Sequence, residues 1–360
     1  MKTKKSLTVL DLFSGAGGTA LGFKRAGFKI VGAVDIAKDA AETYARNIGH
    51  SPKKLDLLTL PAKQLLKEFG LTKGKLDVLV GCPPCQGFTN MVNGNGVNDP
   101  RNNLVLRYLE FVEVLKPRIV VFENVPGLKK RHGKQTFEQL LAGLSKLGYG
   151  FEPGGKELNS ANYGVPQERK RIVIIASRDG AIPLYPDPTH GDPTSKDFKS
   201  FNLKPWVTVG DAICHYPYLT AGQINETVAN HQARRMGERV STFISMIKQP
   251  GGSRKDVPFE YWLNCHKKGS STHTDVYGRL PLSQPAGVIT SGCTNVSKGR
   301  FAHPTQNRGI TSREAACLQS FPDDFVFVGG LDSVALQIGN AVPVLLAEAI
   351  ANSIRTWLQK

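Results

Sequence analysis

The chain has 360 residues, of which 40% are hydrophobic and 21% charged, so it can bury one large core or two unequal ones and is not expected to be disordered. We find no apolar run of the roughly 20 residues needed to cross a bilayer and expect no membrane association. The formal net charge of +16 is large enough to attract a polyanion such as nucleic acid.

Strands and helices alternate along about the first 180 residues. SLTVLDLFSGAGG predicts a buried strand, a glycine turn and a helix that begins near Thr19, and FKIVGAVD with KDAAETYARN predicts a strand ending at Asp35 and a second helix. KKLDLLTL predicts a third strand that ends near Asp56. KLDVLVG, NLVLRYLEFVEVLK and PRIVVFENV continue as strand, helix and strand. Apolar strands separated by helices are typical of parallel sheets, so we expect a doubly wound, mostly parallel α/β fold.

The sequence changes character after RKRIVIIASRDG. The next segment, PLYPDPTHGDPTSKDFKSFNLKPW, is rich in proline, aspartate, serine and threonine, which indicates a boundary. Periodicity then stays weak until TSREAACLQSFP and the apolar helix VPVLLAEAIANSIRTWL. The segment between them is either an irregular small domain or a loop-rich reader of nucleic acid. We predict two domains, residues 1–184 with 333–360 and residues 185–332.

A glycine turn follows the first predicted strand. Gly15, Gly17 and Ala20 have the spacing of a dinucleotide-binding turn, and Asp35 follows about 20 residues later. Such a turn lets the backbone approach a ligand, and the carboxylate can accept hydrogen bonds from ribose hydroxyls. NAD enzymes and adenosylmethionine enzymes share these features, and a turn that only packs a helix on a sheet remains an alternative. Asp56 could accept from an adenine amino group or be an exposed loop residue.

Two of the six cysteines stand close together in GCPPCQGF, behind the predicted strand KLDVLVG. No second close pair accompanies Cys82 and Cys85, so we expect no metal site, and without a secretory signal the thiols are expected to be reduced. The motif fits a redox pair, amino-group methylation with a cysteine in place of an aromatic residue, or covalent catalysis on a pyrimidine.

Covalent catalysis explains why a cysteine would be required. Carbon 5 of cytosine is too poor a nucleophile to take a methyl group, but a thiolate added at carbon 6 converts the ring into an enamine that can. The addition also needs an acid or hydrogen-bond donor at ring nitrogen 3. Glu123, in VVFENV at the end of a predicted strand, is the candidate.

Six motifs in order resemble those of the DNA cytosine carbon-5 methyltransferases, from residue 11 to about residue 343. They are DLFSGAGG, similar to the cofactor turn; GCPPCQGF, similar to the nucleophile motif; FENV; QERKR, similar to a Gln-x-Arg-x-Arg motif; SREAACLQSFP; and QIGNAVP. The resemblance selects Cys85 and leaves Cys82 as a buried filler. It implies catalytic roles for Cys85, Glu123, Arg169 and Arg171, and cofactor contacts for Phe13, Gly15, Gly17, Gly18, Asp35, Ile36, Asp56, Leu57, Pro84, Asn340 and Val342.

The resemblance also implies the cofactor and the partners. S-adenosyl-L-methionine would be converted to S-adenosyl-L-homocysteine without a metal, and a cytosine of double-stranded DNA would be flipped out of the stack. The first predicted domain would be catalytic and the second would recognise the target, while the loop FTNMVNGNGVNDPRNNL would close over the base. We expect a monomer in the cytoplasm of a bacterium or archaeon, associated with the nucleoid and with a companion restriction endonuclease.

Other functions remain open, and a redox enzyme that uses the two thiols of GCPPCQGF is one of them. A related branch methylates transfer RNA with the same chemistry, but its Cys-Phe-Thr signature is absent here, and we keep a transfer RNA cytosine carbon-5 methyltransferase as the alternative. A catalytically silent DNA-binding relative would be expected to lack Cys85 or Glu123, and the chain has both.

Overall fold

A computed structural model describes residues 6–84, 103–130, 133–267 and 275–360, apart from the side chains of Asp197 and Cys265. The chain divides into two compact units. The first comprises Met1–Asn159, Lys170–Asp187 and Leu346–Lys360, and the second comprises Ser160–Arg169 and Pro188–Leu345. The domain ranges predicted from the sequence assign residues 160–169, 185–187 and 333–345 to the other unit.

The first unit is built on a seven-stranded sheet with the order β2-β1-β3-β4-β7-β5, in which β6 also pairs with β7. The first four strands in this order are parallel, whereas β7 is antiparallel to β4, β5 and β6. Only ten residues, 160–169, connect β6 to β7, fewer than a parallel crossover needs. The strands are β1 (Thr8–Leu12), β2 (Lys29–Val34), β3 (Val78–Gly81), β4 (Ile119–Asn124), β5 (Gly150–Phe151), β6 (Lys156–Asn159) and β7 (Lys170–Ser177).

Helices flank this sheet and bury their apolar faces against it. They are α1 (Gly18–Arg25), α2 (Lys38–Ile48), α3 (Gln64–Glu68), α4 (Leu104–Leu115), α5 (Lys134–Lys146) and, at the end of the chain, α12 (Val344–Leu358). The mixed sheet with flanking helices confirms the predicted α/β class. In its core, the hydroxyl of Tyr108 on α4 lies 3.0 Å from the carbonyl oxygen of Leu79 and 2.9 Å from that of Val121.

Tyr108 also fixes the end of β3. A Cβ atom on Gly81 would lie 2.2 Å from the Tyr108 ring, so only glycine fits at this position. The chain therefore leaves β3 directly over α4 and enters the segment that contains Cys82.

The predicted third strand in KKLDLLTL is wrong. Residue 53 makes a single bridge with Val34 and the ladder stops there. Asp56 begins a turn instead, because its Oδ1 accepts a hydrogen bond of 2.9 Å from the Leu58 amide. Aspartate favours such local turns over strands.

The second unit contains short elements connected by long irregular segments. They are β8 (His190–Gly191) and β9 (Lys204–Pro205), with the helices α6 (Lys196–Ser200), α7 (Val209–Ile213), α8 (Glu238–Ser245), α9 (Asn264–Lys267), α10 (Ser312–Leu318) and α11 (Leu331–Asn340). Its interior holds an apolar cluster around Phe243 and Ile244 and three fully buried arginines, Arg279, Arg308 and Arg313.

One stretch among the described residues, Leu331–Leu358, is long and apolar enough to span a membrane by composition, with a mean hydropathy of 1.6. The stretch contains α11 and α12, and 67% of its most apolar window is buried inside the protein, so it is weak evidence for a span.

Candidate active site

The glycine turn after β1 is tight on one side and open on the other. Phe13, Gly15 and Gly17 have φ angles of 62°, 50° and 99°, in the left-handed region, and α1 begins at Gly18. A Cβ atom on Gly17 would lie 3.0 Å from the ring of Tyr44, whereas one on Gly15 would meet no atom within 4 Å. The open space at Gly15 is where a ligand can approach the backbone.

The carboxylate of Asp35 holds this turn against the end of β2. Its Oδ2 accepts a hydrogen bond of 2.7 Å from the Gly15 amide, and its Oδ1 accepts one of 2.8 Å from the Ala37 amide. The next side chain, Ile36, is 61% exposed, which is unusual for an isoleucine. Asp56 is exposed and Leu57 is buried in the turn that follows residue 53. An apolar surface therefore lies next to a carboxylate whose oxygens can accept further hydrogen bonds.

Asp11 and Ser14 are polar residues that sequence reasoning missed. Both are buried, and neither Asp11 Oδ2 nor Ser14 Oγ has a hydrogen-bond partner among the residues that the structure describes. Burial, and then the negative charge of Asp35, raises the pKa of the Asp11 carboxyl well above its usual range. A carboxylate inside an otherwise apolar strand, VLDL, is the sequence signal that could have identified it. These two atoms, beside the open space at Gly15, fit a cofactor that carries hydrogen-bond donors.

Glu123 lies where β4 ends, beside the segment that follows β3. Because Gly81 pairs with Phe122 in the parallel register, Cys82 and Glu123 follow side by side. The Nε of Arg171, on β7, lies 3.0 Å from Glu123 Oε1, and the two side chains are only 11% and 10% exposed. The sequence motifs named both residues as catalytic and did not identify the carboxylate that pairs with Arg171. That carboxylate is Glu123 itself.

Cys82 contacts the same carboxyl group. Its thiol hydrogen-bonds with Glu123 and Thr19, and burial, together with the charge of Glu123, raises the pKa of the thiol well above its ordinary value. The thiol is therefore protonated near neutral pH and can donate to the carboxylate. We expected Cys82 to fill space, and its contact with Glu123 was not visible in the sequence.

The predicted nucleophile lies outside the described residues. The structure describes the segment up to Pro84, where the Asn124 amide donates a hydrogen bond of 3.1 Å to the Pro83 carbonyl oxygen. Cys85 and residues 88–102 of the predicted loop follow beyond it. The described part shows that the chain enters the nucleophile motif from a point anchored to the end of β4, next to Glu123.

The remaining predicted residues lie in the second unit. Arg169 is buried and donates to the carbonyl oxygens of Ile289 at 2.9 Å, Gly339 at 2.8 Å and Ala341 at 3.2 Å. Val342 is buried, while Asn340 is exposed at the end of α11. A contact of Arg169 with a base remains a prediction, because the contacts of its guanidinium described here are to main-chain oxygens.

Gln167 supports the same segments as Arg169. Its Nε2 donates to Gln319 Oε1 at 2.9 Å and to the Leu318 carbonyl at 3.1 Å, while its Oε1 accepts from the Ile289 amide at 2.9 Å. The QERKR motif therefore has two parts. Gln167 and Arg169 form hydrogen bonds that connect segments of the second unit, and Arg171 forms an ion pair with Glu123.

Within the described ranges, no group of three or more histidine, cysteine, aspartate or glutamate residues could hold a metal ion. The polar groups of the candidate site are carboxyls, a guanidinium, a thiol and backbone amides. This donor set suits hydrogen bonding and proton transfer to an organic ligand.

Comparisons with known proteins cover nearly the whole chain. A family model described as C-5 cytosine-specific DNA methylase matches residues 7–356. Type II methyltransferase M1.HphI of Haemophilus parahaemolyticus is 38% identical over 352 residues, which are 97% of this chain and 87% of that protein. Type II methyltransferase M.NgoFVII of Neisseria gonorrhoeae is 34% identical over 349 residues, 96% of this chain and 86% of that protein.

Solved structures share the fold. A candidate DNA modification methyltransferase encoded within an Escherichia coli prophage superposes with a TM-score of 0.71 at 23% identity, covering 99% of this chain and all of that one. The Dnmt2 methyltransferase of S. pombe superposes with a TM-score of 0.61 at 19% identity, covering 98% of this chain and all of that one. At these identities the likeness supports the fold alone.

Proposed function

Since the chain belongs to the C-5 cytosine-specific DNA methylase family and is a DNA (cytosine-5-)-methyltransferase, we propose that it methylates a flipped-out cytosine in a specific duplex sequence through a covalent adduct with Cys85. The pairing of Glu123 with Arg171, beside the anchored segment that leads into Cys85, carries this proposal. This pairing fixes the position of the carboxyl group that would act as the acid in covalent attack on the ring.

The chemistry has two stages. The Cys85 thiolate attacks carbon 6 while Glu123 donates a hydrogen bond or a proton to ring nitrogen 3, so the ring electrons move to carbon 5. Carbon 5 takes the methyl group, and loss of its proton to a base then expels the thiolate and restores the aromatic ring. Arg171 and Cys82 hold the Glu123 carboxyl in place by an ion pair and a hydrogen bond.

S-adenosyl-L-methionine, when bound, supplies the methyl group and leaves as S-adenosyl-L-homocysteine. The residues of the first unit fit this cofactor. Asp35 would accept hydrogen bonds from the ribose, while the exposed Ile36 and Phe13 would pack against the adenine. Asp11 and the open backbone at Gly15 would face the polar methionine end. The reaction as written needs no metal.

Double-stranded DNA is the proposed substrate, and residues 185–332 are proposed to recognise the target sequence. The relatives named as type II methyltransferases support a place in a restriction–modification system, with a companion endonuclease. We place the enzyme as a monomer on the nucleoid in the cytoplasm. With a net charge of +16, binding should weaken steeply as salt rises.

The decisive experiment measures transfer of labelled methyl groups to mixed-sequence duplex DNA and, in parallel, to bulk transfer RNA. The DNA also carries 5-fluorocytosine, whose fluorine blocks the final elimination and traps a covalent complex. We expect label in DNA and a denaturant-resistant complex with the wild type, and neither with Cys85→Ser.

Cys214→Ser, which removes an exposed thiol, is the matched control and should behave as the wild type. Label confined to transfer RNA would establish the alternative function, and trapping by Cys85→Ser would exclude the proposed nucleophile.

A further inference from the structure

A groove of about 640 Å³ opens in the second unit. Segments 222–224, 232–240 and 294–297 form most of its walls. The lining residues that the structure describes include two arginines, an asparagine, a glutamine and a serine, together with apolar side chains, but no carboxylate. A ligand of this groove is therefore a polar, electron-rich group that also offers apolar surface.

The two arginines of the groove differ in what they bind. Arg234 forms an ion pair with Asp332 and lies 3.4 Å from Thr294 Oγ1, so its guanidinium is engaged within the unit. Arg235 is exposed, and the described part of the chain gives its guanidinium no hydrogen-bond or ion-pair partner. The cation of Arg235 is thus available to a ligand.

The stem of Arg235 is nevertheless held in place. A Cβ atom on Gly222, which has a φ of 89°, would lie 2.9 Å from Arg235 Cγ. The side chain therefore packs directly over a glycine backbone. This packing reduces the conformational freedom that the arginine would lose on binding.

The surroundings of Arg235 suit the edge of a base better than a phosphate. Asn295 Oδ1 accepts hydrogen bonds from the amide and hydroxyl of Ser297, which leaves its amide nitrogen to donate to a ligand. Gln232 offers a second side-chain amide, and Ile224 is 61% exposed and offers an apolar contact. Amides, an arginine fork and an apolar group are the side chains that read base edges in the major groove.

We infer that Arg235 is a specificity-determining residue that reads a guanine of the DNA target by donating two hydrogen bonds, to N7 and O6. This inference rests on the proposed function, since it requires duplex DNA as the substrate. Arginine binds guanine in this bidentate manner because its planar fork matches the two acceptors. Arg235 acts on target choice and takes no part in the chemistry at carbon 5.

The test uses the full-length enzyme with adenosylmethionine and a library of duplexes with randomised sequence, and the methylated sites are identified by sequencing. The wild type, Arg235→Ala, Arg235→Lys and Arg46→Ala are compared. Arg46→Ala removes the same charge from an exposed position on α2. Thermal melting of each variant confirms that it is folded.

Wild-type sites are expected to share a guanine at one position, and Arg46→Ala should select the same sites. Arg235→Ala should lose about tenfold or more of its discrimination at that single position while other positions keep theirs. Arg235→Lys should relax the same position, because it keeps the charge and loses the two parallel donors of the guanidinium.

An unchanged site in both Arg235 variants would overturn the inference. A uniform loss at all sequences with a smaller salt dependence would also overturn it, because that result indicates a phosphate contact. A wild type that methylates no DNA would overturn the proposed function, and this inference with it.

Discussion

Glu123 is held by side chains from both neighbouring strands of the sheet. Arg171 approaches from β7 and Cys82 from the end of β3, and the side chains of Arg171 and Glu123 have little contact with water. In such a setting an ion pair and a thiol hydrogen bond fix the direction of a carboxyl group more firmly than they would at the surface.

Replacing Arg171 with alanine should reduce kcat by about a hundredfold with little change in the KM for DNA. The loss would remove the side chain that orients the Glu123 carboxyl, so this group would turn away from the base. Steady-state methyl-transfer kinetics measure the effect. The matched control is Lys170→Ala, which removes the same charge from the exposed pair with Glu157, at 3.7 Å, and should leave kcat near the wild-type value. Equal losses in the two variants would show that Arg171 contributes only charge.

The turn between β1 and α1 contains Gly17, which can be compared with Gly49 at the end of α2. Gly17 and Gly49 both have left-handed φ angles, 99° and 103°, but a Cβ atom would crowd Tyr44 and Ile48 only at Gly17. Gly49→Ala should therefore cost about 1 kcal/mol in unfolding free energy, from backbone strain alone.

Gly17→Ala should cost more and should also weaken cofactor binding, because the turn must shift away from α2. Urea unfolding measures the stability of both variants, and calorimetric titration with S-adenosyl-L-homocysteine measures binding. Binding by Gly17→Ala that equals binding by Gly49→Ala would contradict a role for the tight side of the turn.

Elements with a strong local pattern could be predicted from the sequence, and those fixed by distant partners could not. The apolar strand VVFENV and the helix NLVLRYLEFVEVLK occupy the predicted positions, as β4 and α4. KKLDLLTL has a similar apolar content, but the side chain of Asp56 closes a turn. The antiparallel pairing of β7 follows from the length of its connection to β6, which single strands do not reveal.

The same distinction applies to the site. The motifs indicated Glu123 and Arg171, but the sequence did not show that they bind each other. The two residues are 48 positions apart in the chain, and the pairing of β4 with β7 brings them together. Arg169 contacts carbonyl oxygens more than 100 positions away. Contacts of this kind depend on the folded backbone and carry no local signal.

The second unit has short elements, and buried arginines donate hydrogen bonds to its backbone carbonyl groups. Arg279 is fully buried and donates to the carbonyl oxygens of Ile244, Ile247, His303 and Gln306, at 2.7 to 3.1 Å. Burial lowers the pKa of its guanidinium to about 10. Hydrogen bonds that regular strands would supply come here from one side chain.

Arg279→Met should therefore destabilise the protein by about 3 kcal/mol or more, because several buried carbonyls lose their donor at once. Arg300→Met is the control. Arg300 also donates to three main-chain carbonyls, but its side chain is 29% exposed, so water can replace it and the loss should be about 1 kcal/mol. Urea unfolding compares the two variants, and similar losses would show that burial of the acceptors does not decide the effect.

The stability of the molecule should also fall in mild acid because of His303. Its Nδ1 accepts hydrogen bonds from the amides of Thr305, at 3.2 Å, and Gln306, at 3.0 Å, so the ring is neutral. Burial lowers the pKa of His303 to about 4, although the Glu314 carboxylate opposes the shift and the guanidinium of Arg308 adds to it. The unfolded chain, with an ordinary histidine pKa of about 6.5, therefore binds the proton more readily between these values.

The free energy of unfolding should therefore be unaffected by His303 above about pH 6.5. It should decline as the pH falls toward 4, by up to about 3 kcal/mol from this group. Urea unfolding at pH 7, 6 and 5 measures the slope. His303→Asn places an amide oxygen where Nδ1 accepts its two hydrogen bonds and cannot titrate, so its slope should be shallower than that of the wild type. The slope should not vanish, because burial also lowers the pKa of His266. Parallel slopes for the two proteins would show that His303 keeps an ordinary pKa in the folded state.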